Sequence, residues 1–136
     1  MRDIKNYDVY KLADELVLQV YRATGKFPRS ELFALTSQVR RAAYSVPMNL
    51  VEGAARRSAK EFARSIDIAI GSCEEVRYQL HLSAGLGYLG QKEAAELDAD
   101  FEKVKQMLTK LLARVSGRSV GVTCPSGERS ADSGQR

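Results

Sequence analysis

Residues 91–116 read QKEAAELDADFEKVKQMLTKLLARVS, and their apolar positions decide the fold. Ala94, Leu97, Phe101, Val104, Leu108, Leu111 and Val115 recur at steps that alternate three and four without a break. That spacing places one apolar stripe along a helix and is the repeat of helices packed nearly side by side. Glu93, Glu96, Asp98, Asp100 and Glu102 crowd the first half, while Lys103, Lys105, Lys110 and Arg114 follow. Anions near the N-terminus and cations near the C-terminus complement the helix dipole, so this pattern serves stability rather than chemistry.

Upstream, three more stretches carry the same periodicity. A first helix is expected from Asn6 to Thr24, with Val9, Leu12, Leu16 and Val20 on its core face. Asn6 suits its N-cap, and Gly25 suits the left-handed residue that closes it. After the turn Lys26-Phe27-Pro28-Arg29, Ser30 is expected to cap a second helix from Glu31 to Arg57. Its core face would hold Leu32, Leu35, Val39, Ala43, Val46 and Leu50. Ser58-Ala59-Lys60-Glu61 reads as a capping box opening a third helix. That helix carries Phe62, Ile66, Ala69, Cys73, Val76 and Leu80 and ends near Gly85 to Gly90. Connections this short force neighbours to run antiparallel. The sequence therefore predicts an all-α, up-down-up-down four-helix bundle over residues 1–117. Residues 118–136 are rich in Ser, Gly and Arg with little to bury, and are expected to form a disordered polar tail.

Composition narrows the class further. The chain has 136 residues, 44% hydrophobic and 28% charged, the balance of one ordinary globular domain. The N-terminus MRDIKNYDVYK lacks the apolar core of a secretory signal, and no run is long enough to span a membrane. Cys73 and Cys124 form neither a CxxC pair nor a metal spacing, which points to free thiols in a reducing cytoplasm. The net charge of +4 is concentrated in residues 27–57, where Arg29, Arg40, Arg41, Arg56 and Arg57 face only Glu31 and Glu52.

On an ideal helix, the second segment shows three stripes rather than two. Opposite its core face lie Phe33, Tyr44, Met48, Val51 and Ala55. Between them runs a polar stripe of Gln38, Arg41, Ser45, Asn49, Glu52 and Arg56. A far side that is apolar argues for burial beyond the four-helix core, against helix one or the tail or, more economically, a second copy of the chain. Pro47 inside this helix removes one backbone hydrogen bond and predicts a bend near Ala43 to Val46.

Chemistry-bearing motifs are sparse. Gly85-Leu86-Gly87-Tyr88-Leu89-Gly90 fits GxGxxG by letter, but it closes a helix instead of linking a strand to one, so the glycines read as turn residues. His81 is the only histidine, with no base–nucleophile pairing and no converging ligands, so neither a catalytic site, a metal site nor a cofactor is expected. Arg40, Arg41, Arg56, Arg57, Lys60 and Arg64 are the candidate nucleic-acid contacts. The last four surround the tight turn between helices two and three, where they would clasp phosphates. No aromatic platform accompanies them, and Glu52 is spaced to pair with Arg56.

The run LTSQVRRAAYSVPMNLVEG, residues 35–53, resembles the signature of the 23S ribosomal RNA intervening-sequence protein family. Phe27-Pro28 with Glu31, then Glu61-Phe62, Ala69, Gly71-Ser72 and Glu75 continue the likeness, over roughly residues 5 to 115. Tyr10 departs from it, standing where a tryptophan is expected. The resemblance implies a small bacterial bundle without enzyme activity that assembles into a ring, commonly a homopentamer. Some members are encoded within insertions of ribosomal RNA genes. A similar bundle serves the reverse transcriptase of diversity-generating retroelements, where a basic ring contacts protein and nucleic acid. Carried onto this chain, the family's motif positions are Gln38, Arg41, Ser45, Asn49, Glu52 and Arg56, the same polar stripe. They are expected to form a hydrogen-bonded network at a subunit interface or ring lumen, or else to turn Arg41 and Arg56 toward nucleic acid.

Overall fold

A computed structural model describes residues 2–117. Four α-helices follow one another: α1 (Asp8–Thr24), α2 (Leu35–Ala54), α3 (Ala59–Gly85) and α4 (Gln91–Ser116). Short 3-10 turns at Ile4–Asn6 and Arg29–Glu31 precede α1 and α2. No strand occurs among the described residues. The residues expected to form a polar tail, with Cys124, lie outside them.

Each helix packs on its two neighbours, α1 on α2, α2 on α3, α3 on α4 and α4 back on α1, the last being the thinnest seam. The centre is filled by Leu16, Val20, Val39, Val46, Leu50, Phe62, Ile66, Val76, Leu80, Phe101, Val104 and Leu108, all buried. These are the positions of the expected apolar stripes. Burying a side chain of this size is worth roughly 1.5–3 kcal/mol, so the four stripes meeting at one axis hold the bundle closed. No helix among the described residues is long and apolar enough to cross a membrane.

Helix boundaries depart from expectation where capping was read from single residues. α1 starts at Asp8 instead of Asn6, because Ile4–Asn6 forms its own 3-10 turn and the Asn6 amide donates back to Asp3 Oδ2. Gly25 is right-handed (φ −61°); α1 is closed by its N–H bonding to Tyr21 O and by Thr24 Oγ1 donating to Val20 O. Among the described residues the left-handed glycines are Gly87 (φ 80°) and Gly117 (φ 72°), which close α3 and α4.

The start of α2 differs most. It begins at Leu35 and not at Glu31, and Ser30 caps nothing. Instead the Glu31 carboxylate accepts the Leu35 N–H (3.3 Å) and is itself held by the Tyr88 hydroxyl (2.9 Å). Tyr88 packs on the Phe27 ring, so the α3–α4 turn pins the α1–α2 turn. Ala34 leaves helical backbone geometry. Leu32 is consequently exposed, and Phe33, off the helix altogether, is 91% exposed. At the other end α2 stops at Ala54, short of Arg57, and runs unbroken through Pro47. Ser58 caps α3 as expected by accepting the Glu61 N–H (3.0 Å), but the Glu61 carboxylate receives the serine hydroxyl rather than its N–H.

Candidate functional site

Ser45 and Asn49 of the α2 polar stripe lie at the α2–α3 seam. The helices approach closely because position 53 is glycine: a Cβ there would sit 2.5 Å from Ser65 Cβ. Further along the seam, Ser45 Oγ and Ser72 Oγ are 2.9 Å apart, and Ser72 also donates to Ile68 O. Asn49 donates to Ser45 O (2.7 Å) and Ser45 Oγ (2.9 Å). Ser45, Asn49 and Ser72 thus form a network closed within one chain. The side chains of Gln38, Arg41, Glu52 and Arg56 are exposed and make no hydrogen bond or ion pair among the described residues. Glu52 and Arg56 do not pair, although their spacing allows it.

Arg56, Arg57 and Lys60 are gathered at the α2–α3 turn, with Arg64 one turn up α3, all exposed and without an acidic partner within 4.0 Å among the described residues. Sequence reasoning missed Arg2. Its Nη1 donates to Arg56 O (3.1 Å) and its guanidinium lies 4.6 Å from the centre of the Phe62 ring. An arginine ahead of the first turn carries no local signal; only closure of the bundle brings it 54 residues along the chain to this end. The antiparallel order also brings the last turns of α4 here. Lys110 and Arg114 line an open cleft of about 450 Å³ with Asn6, Tyr7 and Asp8. The bundle end where α2 and α4 finish is therefore rich in cations.

Arg40 is not part of this end. Its Nε donates to Thr24 Oγ1 (2.8 Å) and its guanidinium stacks on Tyr21, tying the first turns of α2 to the last turn of α1. Arg41, on the next position, faces solvent near the start of the stripe.

The apolar stripe of α2 is open in the single chain. Tyr44, Met48 and Val51 are 39%, 46% and 39% exposed, and Ala55 is exposed. Helix α1 therefore does not cover it. On the opposite seam, Arg77 of α3 is gripped by Asp98 (2.9 Å), Glu102 and Glu74, and Lys105 bonds Glu74 (2.8 Å). The hydrogen bond to Asp98 raises the Arg77 pKa, and that from Lys105 lowers the pKa of Glu74. These acids of α4 do more than complement the helix dipole: they lock α4 to α3.

His81 is exposed beside Tyr78, and no group of three His, Cys, Asp or Glu side chains that could hold a metal occurs among the described residues. Cys73 is buried, and burial pushes its thiol up to about 12. Of the glycines of residues 85–90, Gly85 ends α3, and Gly87 and Gly90 lie in the α3–α4 turn.

Set against known proteins, residues 5–110 match the family model described as 23S rRNA-intervening sequence protein. A crystal structure of a protein of unknown function from the S23 ribosomal protein family of Bacteroides thetaiotaomicron VPI-5482 is similar in fold, with a TM-score of 0.69. The two share 19% identity, over 76% of this chain and 97% of that one. No curated protein matches the sequence.

Proposed function

The chain belongs to the 23S rRNA-intervening sequence protein family, and from that premise we propose that it is a non-enzymatic, self-assembling module whose basic end binds nucleic-acid backbone. The observation that carries this reading is the gathering of Arg2, Arg56, Arg57, Lys60 and Arg64 at one end, where the last four lack acidic partners among the described residues. Guanidinium and ammonium groups left unneutralised attract phosphates, release condensed counterions and need no base-specific contact. The family's name supports RNA as the acid concerned. No exposed aromatic side chain lies at the α2–α3 turn among the described residues, which supports backbone recognition over base readout.

Assembly belongs to the same reading. The α2 stripe is apolar, exposed and continuous over three turns, a surface suited to a second copy of the chain. The ring implied by the resemblance would set several basic ends side by side and multiply their phosphate contacts.

Mobility shift with a structured RNA at about 50 and about 200 mM salt tests the proposal. Four neutralised phosphates give a log–log slope near −3.6, so affinity falls roughly 100-fold across that range. Arg57→Gln with Lys60→Gln reduces the slope by about 2 and leaves the sedimentation coefficient of the free protein unchanged. No retarded band at the lower salt would overturn the nucleic-acid reading and leave a protein-interaction bundle, which the open apolar stripe also supports.

A further inference from the structure

At the end of the bundle remote from the basic cluster, a small cavity of about 170 Å³ is walled by Thr24, Gly25, Arg29, Leu32, Thr36 and Arg40, among others. We propose that this cavity is a binding site for a small oxyanion, a phosphate or a carboxylate. Thr36 and the basic end are some twenty residues apart on and beyond α2, roughly 30 Å along the helix axis. The inference therefore goes beyond the nucleic-acid reading and does not depend on it.

Three observations converge on this site. First, Thr36 is only 3% exposed, yet its Oγ1 has no hydrogen-bond partner among the described residues. A buried hydroxyl is normally satisfied, and this one, on a residue that lines the cavity, has a hydrogen left to donate to an acceptor from outside. Helical threonine adopts two χ1 rotamers, which lets the hydroxyl and methyl exchange places on the cavity wall. Second, the cavity lies beside the N-terminus of the 20-residue helix α2, where the backbone dipole and unfilled N–H groups favour an anion. The Leu35 N–H is taken by Glu31, whereas those of Thr36 and Ser37 have no acceptor among the described residues.

Third, cations of the right kind are already in place. Arg40 is held by Thr24 Oγ1 through Nε and by the Tyr21 ring beneath it, which fixes the plane of its guanidinium. Its Nη1 makes no protein hydrogen bond among the described residues. A guanidinium oriented in this way presents a fork matched to an oxyanion. Arg29 on the cavity wall adds a second positive charge. Glu31, the acid of the same turn, has its two oxygens bonded to the Leu35 N–H and the Tyr88 hydroxyl. The cavity has room for a phosphate group.

Thermal unfolding of the full chain tests the site, with inorganic phosphate and acetate each compared against chloride at equal ionic strength. One of the two anions should raise Tm by about 3–5 °C once it exceeds its dissociation constant several-fold. Whichever of them does so tells a tetrahedral ligand from a planar one. Arg40→Gln and Thr36→Val should each abolish that increment. Thr36→Val should also raise Tm in chloride, because it removes an unsatisfied buried hydroxyl without changing shape. Arg57→Gln with Lys60→Gln should leave the increment intact, which separates this site from the basic end. A titration of either anion by calorimetry should give one site per chain. No anion-specific rise, or a rise that survives both Arg40→Gln and Thr36→Val, overturns the proposal and leaves Thr36 an unsatisfied core residue.

Discussion

A methyl group at position 53 would place its carbon 2.5 Å from Ser65 Cβ and 3.1 Å from Phe62 Cδ1. Neither neighbour is the free end of a flexible side chain, so the helices themselves would have to part. Gly53→Ala should therefore destabilise the protein by about 1–3 kcal/mol, despite alanine's better helix propensity. Denaturant unfolding measures this, and adding Ser65→Gly should restore part of the loss. An unchanged midpoint for Gly53→Ala would mean that α2 and α3 stand further apart than the structure places them. Cys73 carries a second expectation at this scale. Burial keeps the thiol protonated to about 12, and the thiolate is the reactive species. In a Cys124→Ser background, native protein at about pH 8 should resist alkylation, and denaturant should unmask one thiol per chain. Rapid labelling of the native protein would contradict the packing around Cys73.

Between elements, α4 is fastened by charge as well as by its apolar stripe. Arg77 reaches Asp98, Glu102 and Glu74, and Lys105 reaches Glu74. The Arg77 side chain is half-hidden and acts as a hub, so Arg77→Gln should cost about 1 kcal/mol, above the median for an isolated surface pair. The gap between wild type and variant should narrow as salt rises. Glu74 adds a pH dependence whose sign follows from its lowered pKa. Its contribution is present above the ordinary carboxylate pKa of 4.5 and fades as pH falls through the lower folded value. Lys105→Met should flatten that part of the acid profile. At the opposite turn, Glu31 joins two connections by capping α2 and receiving Tyr88. Tyr88→Phe should loosen the start of α2, seen as faster amide exchange at Leu35 with little change at Leu50.

At the scale of the molecule, the antiparallel order sorts charge toward one end and leaves an apolar stripe along α2. The proposed assembly predicts that Met48→Asp gives a smaller species than wild type in sedimentation, with its helical content unchanged. A wild-type protein that sediments as a monomer at micromolar concentration would remove assembly from the reading. The basic end would remain to be tested by its salt dependence. Because the cations proposed to bind phosphate and the apolar stripe occupy different surfaces, substitutions at one should leave the other readout intact.

Four helices, their order and their core were legible in the sequence, since apolar steps of three and four fix a buried face locally and short connections fix direction. Phe62, Ile66 and Cys73 on α3 and Phe101, Val104 and Leu108 on α4 are buried where that periodicity places them. The polar stripe and the cationic turn were readable as patterns within one stretch of chain, but not that Gln38, Arg41, Glu52 and Arg56 stand apart from the network of Ser45 and Asn49. Tertiary structure alone decided where α2 begins, because its cap is a Glu31 carboxylate steadied by Tyr88, 57 residues away. It alone brought Arg2 to Arg56, seated Arg40 on Tyr21, closed Ser45 and Asn49 on Ser72, and made Gly53 indispensable to the α2–α3 approach. Periodicity records which face of a helix is apolar. Which residues meet across a seam depends on the register and separation of helices far apart in the chain, and these are set when the whole core packs.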